Sequence, residues 1–267
     1  MGGLIVACSE RTQFSAGAFG FEIAEPGEGS VGTQPGTPIT EQPPICDPFG
    51  SGTGGSPDNG LAATLTYIPA DQASYNMTLD QFLPGKSNVV QIANTVFLSN
   101  LDKPTTYFND GFQDDQGTYL KNSDGDNLIE YFALFIAGKI KLKSSDPEGE
   151  YEFAVLSDDG AILQFKQNGA WNKHIDNDNT HADKLGCTAQ SVNLKHGDSL
   201  PLELGYFQAP RYYITLSLYW RNTHIGENEP FCGGAISNAT DFAARGWKLL
   251  DDGNFFLPDN VTENPCN

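Results

Sequence analysis

The sequence predicts an all-β fold, a β-sandwich or barrel of antiparallel strands with long loops. Three observations predict it. Short stretches alternate apolar and polar residues with a period of two, as a strand with two unlike faces does. Turn signals separate these stretches at short intervals, with no long helical periodicity between them. Twenty-nine glycines and sixteen prolines against two methionines describe a loop-rich chain.

In order, Ile140 and Leu142 alternate with Lys139, Lys141 and Lys143, and Pro147-Glu148-Gly149 follows as a turn. Tyr151, Phe153 and Val155 mark the next strand, and Asp159-Gly160 turns it into one marked by Ala161, Leu163 and Phe165. After Asn168-Gly169 and His196-Gly197-Asp198 come Leu200, Leu202 and Leu204. The clearest alternation sets Ile214, Leu216, Leu218 and Trp220 against Tyr213, Thr215, Ser217 and Tyr219. These apolar faces must meet across a core, Trp220 among them, and a sandwich is the natural closure. There is no internal repeat and no coiled-coil heptad.

The chain of 267 residues, 39% hydrophobic, is long enough for one sizeable core. Thirty-four acidic against fifteen basic residues give a formal charge of −19. That charge repels nucleic-acid phosphates and anionic lipid, which leaves cations or neutral polar ligands as the favoured partners. Most of it reads as solubility in extracellular surroundings, so only positioned carboxylates bear on function. No apolar run reaches the roughly 18 residues of a transmembrane helix.

Leu4-Ile5-Val6-Ala7-Cys8-Ser9 resembles the lipobox of bacterial lipoproteins, which implies lipidation at Cys8 after removal of the preceding residues. Only three residues precede Leu4 and none is basic, whereas a signal peptide carries an apolar stretch of roughly 7–15 residues. Either the start is misassigned or the likeness is accidental. The count favours the first, since setting Cys8 aside leaves Cys46, Cys187, Cys232 and Cys266, an even number suited to two disulfides in an oxidising compartment. Spacing does not fix connectivity. The expected pairs are Cys46 with Cys266, tying the domain's ends, and Cys187 with Cys232. Residues 1–8 are then a signal remnant and 9–60 a Gly/Pro/Ser-rich flexible tether, with the folded body over 61–267. The expected place is extracytoplasmic, at the cell surface, as an outer-membrane-anchored lipoprotein or a secreted protein.

One hairpin carries the chemistry. Tyr151-Glu152-Phe153-Ala154-Val155-Leu156-Ser157-Asp158-Asp159-Gly160-Ala161-Ile162-Leu163-Gln164-Phe165 reads strand, Ser-Asp-Asp-Gly, strand. It is followed in order by Ile175-Asp176-Asn177, Leu194-Lys195-His196-Gly197 and Leu202-Glu203-Leu204-Gly205-Tyr206-Phe207. Together these resemble the PA14 domain family over about Asn94 to Trp220, most closely the calcium-dependent lectin and adhesin domains of the yeast flocculin and epithelial adhesin type. The resemblance implies a PA14-like sandwich in which Asp158 and Asp159, joined by a cis peptide, hold Ca2+ and contact sugar hydroxyls. It implies further ligands from Tyr206-Phe207-Gln208-Ala209-Pro210-Arg211-Tyr212: the Gln208 side-chain oxygen and the carbonyls of Pro210 and Tyr212. Gln208 stands where those lectins carry Asn, one methylene shorter.

The chemistry explains the pattern. Ca2+ takes about 6–8 oxygens, and a tight turn aims neighbouring carboxylates at one point where a strand would separate them. A bound ion can accept two sugar hydroxyls while aromatic rings cover the sugar's apolar face, for which Tyr212 and Tyr213 are the candidates. Asp159 is not expected to enter the core. Loops near Lys173 to Cys187 are expected to set specificity. Asp-Asp-Gly also makes an ordinary solvated turn, and alternating aromatics also make cores.

The other polar clusters read as turns or surface: Asn122 to Asn127 with Glu130, Asp114-Asp115, Asp251-Asp252-Gly253, and His174, His181, His196 and His224. Asn238-Ala239-Thr240 and Asn260-Val261-Thr262 match a glycosylation sequon that often arises by chance. No nucleophile elbow, His-Glu metal helix or phosphate loop is present, so no enzyme is expected. The expected function is a calcium-dependent, carbohydrate-binding adhesion domain. The alternative is a non-catalytic PA14 protein-binding or structural surface module.

Overall fold

The structure, a computed structural model, describes residues 44–48, 56–92, 95–110, 113, 117, 119–122, 124–222 and 229–267. The strands in chain order are β1 (Ile45–Cys46), β2 (Leu61–Tyr67), β3 (Val90–Gln91), β4 (Val96–Leu98), β5 (Asp102–Tyr107), β6 (Phe132–Ile140), β7 (Gly149–Asp158) and β8 (Ala161–Gln167). They continue as β9 (Ala170–Asn177), β10 (Lys184–Cys187), β11 (Val192–Leu194), β12 (Leu200–Gln208), β13 (Tyr213–Arg221), β14 (Lys248–Leu249) and β15 (Phe255–Phe256). One short helix, α1 (Ala239–Ala244), lies between β13 and β14.

Two sheets result. One runs β1-β4-β2-β6-β12-β8-β9, with β3 on β2 and β15 on β6; the other runs β10-β7-β13-β14, with β11 on β7 and β5 on β13. All pairings are antiparallel except β1 with β4. The expected sandwich is therefore present, without closure into a barrel. Phe165 of β8 meets Phe153 of β7 at a ring separation of 4.7 Å, and Tyr151 stacks on Trp220 at 4.6 Å, so the inward faces meet as their alternation implies. Trp220 is core, 1% exposed.

The outward face of β7 departs from simple alternation. Ala154 and Leu156 are buried too, because Phe231, Phe242 and Trp247 from the C-terminal segment cover them. Cys187–Cys232 staples that cover to β10, and Leu185 forms a bridge to Cys232.

The folded unit reaches back beyond Leu61, into the stretch expected to be a tether. Ile45–Cys46 adds a parallel strand to β4, and Cys46 is disulfide-bonded to Cys266. Ser99 donates to buried Asp47 at 2.9 Å, and Asn264 donates to the Asn59 carbonyl at 3.1 Å. Both disulfides are those expected. Low hydrophobicity marks a stretch as loop, but a two-residue strand and one cysteine suffice to pin it. Cys8, the expected tether apart from residues 44–48 and 56–60, Asp114-Asp115 and His224 lie outside the described residues.

Candidate cation and carbohydrate site

Asp158 ends β7 and Asp159-Gly160 turns the chain into β8. Pairing fixes the spot from both sides: Thr215 of β13 lies opposite Asp158, and Lys184 of β10 lies opposite Ser157. The Asp158–Asp159 peptide is cis, as is Arg211–Tyr212. Gly160 has a packing reason, since a Cβ there would stand 2.2 Å from Cε1 of Phe207. Phe207 in turn stacks on Phe82 at 5.3 Å, so the turn rests on an aromatic floor.

Both aspartates are buried, at 2% and 1% exposure, beneath loops and outside the apolar clusters. Two loops close over the turn. Asp159 accepts from the His181 N–H at 3.0 Å through one oxygen and from the Ala209 N–H at 2.7 Å through the other. Its carboxylate thus sits between the loop of residues 178–183 and the loop of residues 209–212. Asp183 lies beside Asp158, close enough for its carboxyl and its N–H both to act on the Asp158 carboxyl.

The electrostatics are one-sided. Burial, then the charge of Asp159, then that of Asp183 push the Asp158 carboxyl up to about 8. Burial pushes Asp159 up to about 7, against the pull of its two backbone N–H donors. No basic side chain contributes to either shift. Beneath them the fully buried Tyr206 hydroxyl is held well above its ordinary value by desolvation and then by these carboxylates. Carboxyl groups in contact without a basic partner need a proton or a cation between them.

Of the residues expected to complete the site, Gln208 is fully buried at the end of β12. Its amide oxygen accepts from Tyr206 at 2.8 Å, and its amide nitrogen donates to the carbonyls of Ala209 and Tyr213. It braces the loop that carries Pro210 and Tyr212. Pro210 is buried, and the Tyr212 carbonyl accepts from the Phe108 N–H at 3.0 Å. Tyr212 and Tyr213 stand exposed, at 69% and 42%.

Asp183 is the acidic residue that sequence reasoning missed. One of its oxygens accepts from the Thr105 hydroxyl at 2.7 Å, and the other is buried with no hydrogen-bond partner. A lone Asp in an aperiodic loop carries no signal of its own; only the pairing of β10 with β7 brings it to Asp158. Asn177 of the Ile175-Asp176-Asn177 motif is a brace, donating to Ser157 and to the Lys184 carbonyl at 2.9 Å each.

The minor clusters behave as turns or surface. Asn122 caps its own loop by accepting from the Asp124 and Asp126 N–H groups, and Asp251 accepts from the Gly253 N–H. His196 bonds carbonyls of the 143–146 turn, whereas His174, expected on a surface loop, is a half-buried residue of β9 that bonds Gln167 and packs against Phe165 at 5.0 Å. Among the described residues no group of three His, Cys, Asp or Glu side chains is arranged to hold a metal ion by itself. A cation at the tip would therefore draw amide or main-chain oxygens as well as carboxylates, as Ca2+ does.

Residues 103–234 match the model of the PA14 domain. No curated protein matches the chain. Among solved structures, a PA14 sugar-binding domain from an RTX adhesin is 15% identical, with 75% of this chain and 99% of that one covered and a TM-score of 0.48. The epithelial adhesin 6 A domain from Candida glabrata, solved in complex with Galb1-3GlcNAc, is 16% identical, with 84% and 100% covered and a TM-score of 0.41. An anti-sigma factor domain-containing protein is 14% identical at a TM-score of 0.44; 77% of this chain matches, spanning about half, 51%, of that protein.

Proposed function

We propose that the chain, whose residues 103–234 match the PA14 domain, is a non-catalytic, calcium-dependent carbohydrate-binding domain of a secreted or cell-surface adhesion protein. The observation that carries this reading is the tip itself: two buried aspartates, in contact with a third, with no basic side chain shifting either. A buried like-charge cluster is costly unless something positive completes it.

The donors fit Ca2+. Asp158 and Asp159 would hold it, with Asp183 adjacent through its unpartnered oxygen. Gln208 and the carbonyls of Pro210 and Tyr212 are the neutral oxygens of the same loop. For Gln208 to serve, its oxygen must share or exchange the hydrogen bond from Tyr206. When bound, the ion supplies a hard Lewis-acid centre for neutral hydroxyl oxygens. The chain's own residues do the positioning: the two backbone donors orient Asp159, and Tyr212 and Tyr213 offer ring faces beside it.

Hydrolysis is not supported. Glycosidase carboxyls flank the scissile bond at about 5–10 Å, one of them free to protonate the leaving group. Here the carboxyls are adjacent in sequence and tied down by backbone N–H groups. Two disulfides fit an extracellular site of action. No helix of the described residues is long and apolar enough to cross a membrane; an anchor at Cys8 is part of the proposal.

A glycan array probed with calcium and with chelator tests the reading. Binding that disappears in chelator and in Asp159→Asn is expected. Glycan binding indifferent to chelator, or calcium binding unchanged in Asp159→Asn, contradicts it.

A further inference from the structure

The first and last described segments of the chain meet, and each is fixed to the other as well as to the sheet. Cys46 is bonded to Cys266 across a sequence separation of 220. Between the flanking stretches, the Asn264 N–H donates to the Pro57 carbonyl at 2.6 Å and the Leu257 N–H to the Asp58 carbonyl at 3.0 Å. The Gly60 N–H donates to the Phe255 carbonyl at 3.0 Å, and the Asn267 side-chain amide to the Ser56 carbonyl at 2.9 Å.

Both stretches end on one strand. β12 occupies one edge of β6 along its whole length. On the other edge, β15 pairs with Ile140 and Lys139, and β2 takes over from Ala137 onward. Gly138 is the gap between them: a Cβ there would stand 2.3 Å from Leu61 Cδ2 and 2.9 Å from the Phe256 carbonyl oxygen. Two legs thus leave β6 at one point, one from Gly60 back to Cys46 and one from Leu257 on to Cys266, and the disulfide joins their far ends. The Asp158-Asp159 tip stands well away. It leads into β8, and β4, β2, β6 and β12 lie between β8 and β1, where Cys46 sits.

We propose that the Cys46–Cys266 disulfide is a load-bearing clamp, which stops tension between a ligand on the tip and the chain preceding residue 44 from peeling that end of the domain. This rests on the surface-adhesion reading, under which such tension arises. Without the clamp a pulled end gives way one weak hydrogen bond at a time, beginning with those from Ile45 and Asp47 to the Thr95 and Phe97 carbonyls. With it, Cys46 moves outward only if both legs yield together. Load then reaches β6 through β2 and β15 at once and runs along the strands, so the six pairs of β2 with β6 are strained together rather than in turn. From β6 it passes to β12, which ends at Gln208, next to the Ala209 N–H that grips Asp159.

Optical tweezers test this on the full chain in calcium chloride. One handle is at the amino terminus and the other on p-azidophenylalanine placed at Tyr212, which is exposed beside the tip. Cys187→Ser with Cys232→Ser removes the other disulfide. Each molecule is pulled before and after a phosphine reductant is added, so the fold forms once with the clamp closed. Before reduction no step should precede unfolding of the sheet. After reduction an earlier step should appear, releasing up to about 50 Å of chain as the stretch from Cys46 to Gly60 peels. In bulk calorimetry, Cys46→Ser with Cys266→Ser should keep the calcium affinity of the wild type. An early step already present before reduction, or none after it, overturns the clamp. A fall in the variant's calcium affinity overturns a purely mechanical role. A chain that gains the early step on reduction but binds neither calcium nor glycan keeps the clamp and overturns the adhesion reading alone.

Discussion

Glu152 and Asp158 sit six residues apart on the same strand, both buried, at 8% and 2% exposure. Around Glu152 two arginines face two glutamates, with Arg245 Nε 3.9 Å from Glu229. Arg221 Nε donates to Glu152 at 2.5 Å, Arg221 Nη1 donates to Glu229 at 2.8 Å, and the Trp247 indole donates to Glu229 at 3.1 Å. The guanidinium also lies 4.3 Å over the Trp247 ring. Around Asp158 stand Asp159 and Asp183, and no basic side chain among the described residues is a cause of its shift. One end of β7 buries charge to hold the C-terminal cover in place. The other buries charge that the chain leaves uncompensated, which marks a place for something from outside.

That contrast breaks first at Arg221. Replacing it with Met takes the guanidinium from buried Glu152 and leaves Glu229 only Arg245 and the Trp247 indole, and should cost about 3–5 kcal/mol, read by denaturant unfolding; a loss below about 1 kcal/mol would mean that the network is not what fastens the cover. Gly160→Ala comes next. Its Cβ would collide with the Phe207 ring, so a loss of about 1–3 kcal/mol together with weakened calcium binding is expected. An unchanged melting profile would show that Phe207 can move aside.

Acidity gives the third test. The carboxyls of Asp158 and Asp159 ionise near 8 and 7 in the fold against 3.8 ordinarily, so the folded state keeps protons that the unfolded chain has released. Their contribution is full at low pH and is lost progressively as pH rises from about 4 to about 8. In chelator the melting temperature should therefore fall over that window, and the stabilisation added by calcium should grow across it, because calcium competes with those protons. Calcium stabilisation that is flat with pH would contradict this. The smallest effect is expected from Asp158→Asn. It relieves like-charge crowding, so stability in chelator should hold or rise slightly while calcium affinity falls at least tenfold.

Much of this was readable from sequence where one rule governs. Period-two alternation marked Ile214 to Trp220 and placed Trp220 in the core, and the Ser-Asp-Asp-Gly hairpin marked the tip. Alternation does not say what covers a strand's second face. Ala154 and Leu156 look like outward positions until Phe231, Phe242 and Trp247 fold over them. Asp183 was invisible for a related reason: it is one residue in an aperiodic stretch, and only the pairing of β10 with β7 brings it to the tip. Gln208 was singled out as a ligand, but its place under the loop, bonded to Tyr206 and Tyr213, makes it first a brace.

The central claim is that the charge left unmatched at the end of β7 is completed by calcium. Calorimetric titration of calcium chloride into the full chain and into Asp159→Asn tests it directly. One site on the wild type, weakened at least tenfold by the substitution, is the predicted result. No heat of binding on the wild type, or equal binding by both proteins, would contradict it and return the Asp158-Asp159 turn to a purely structural role.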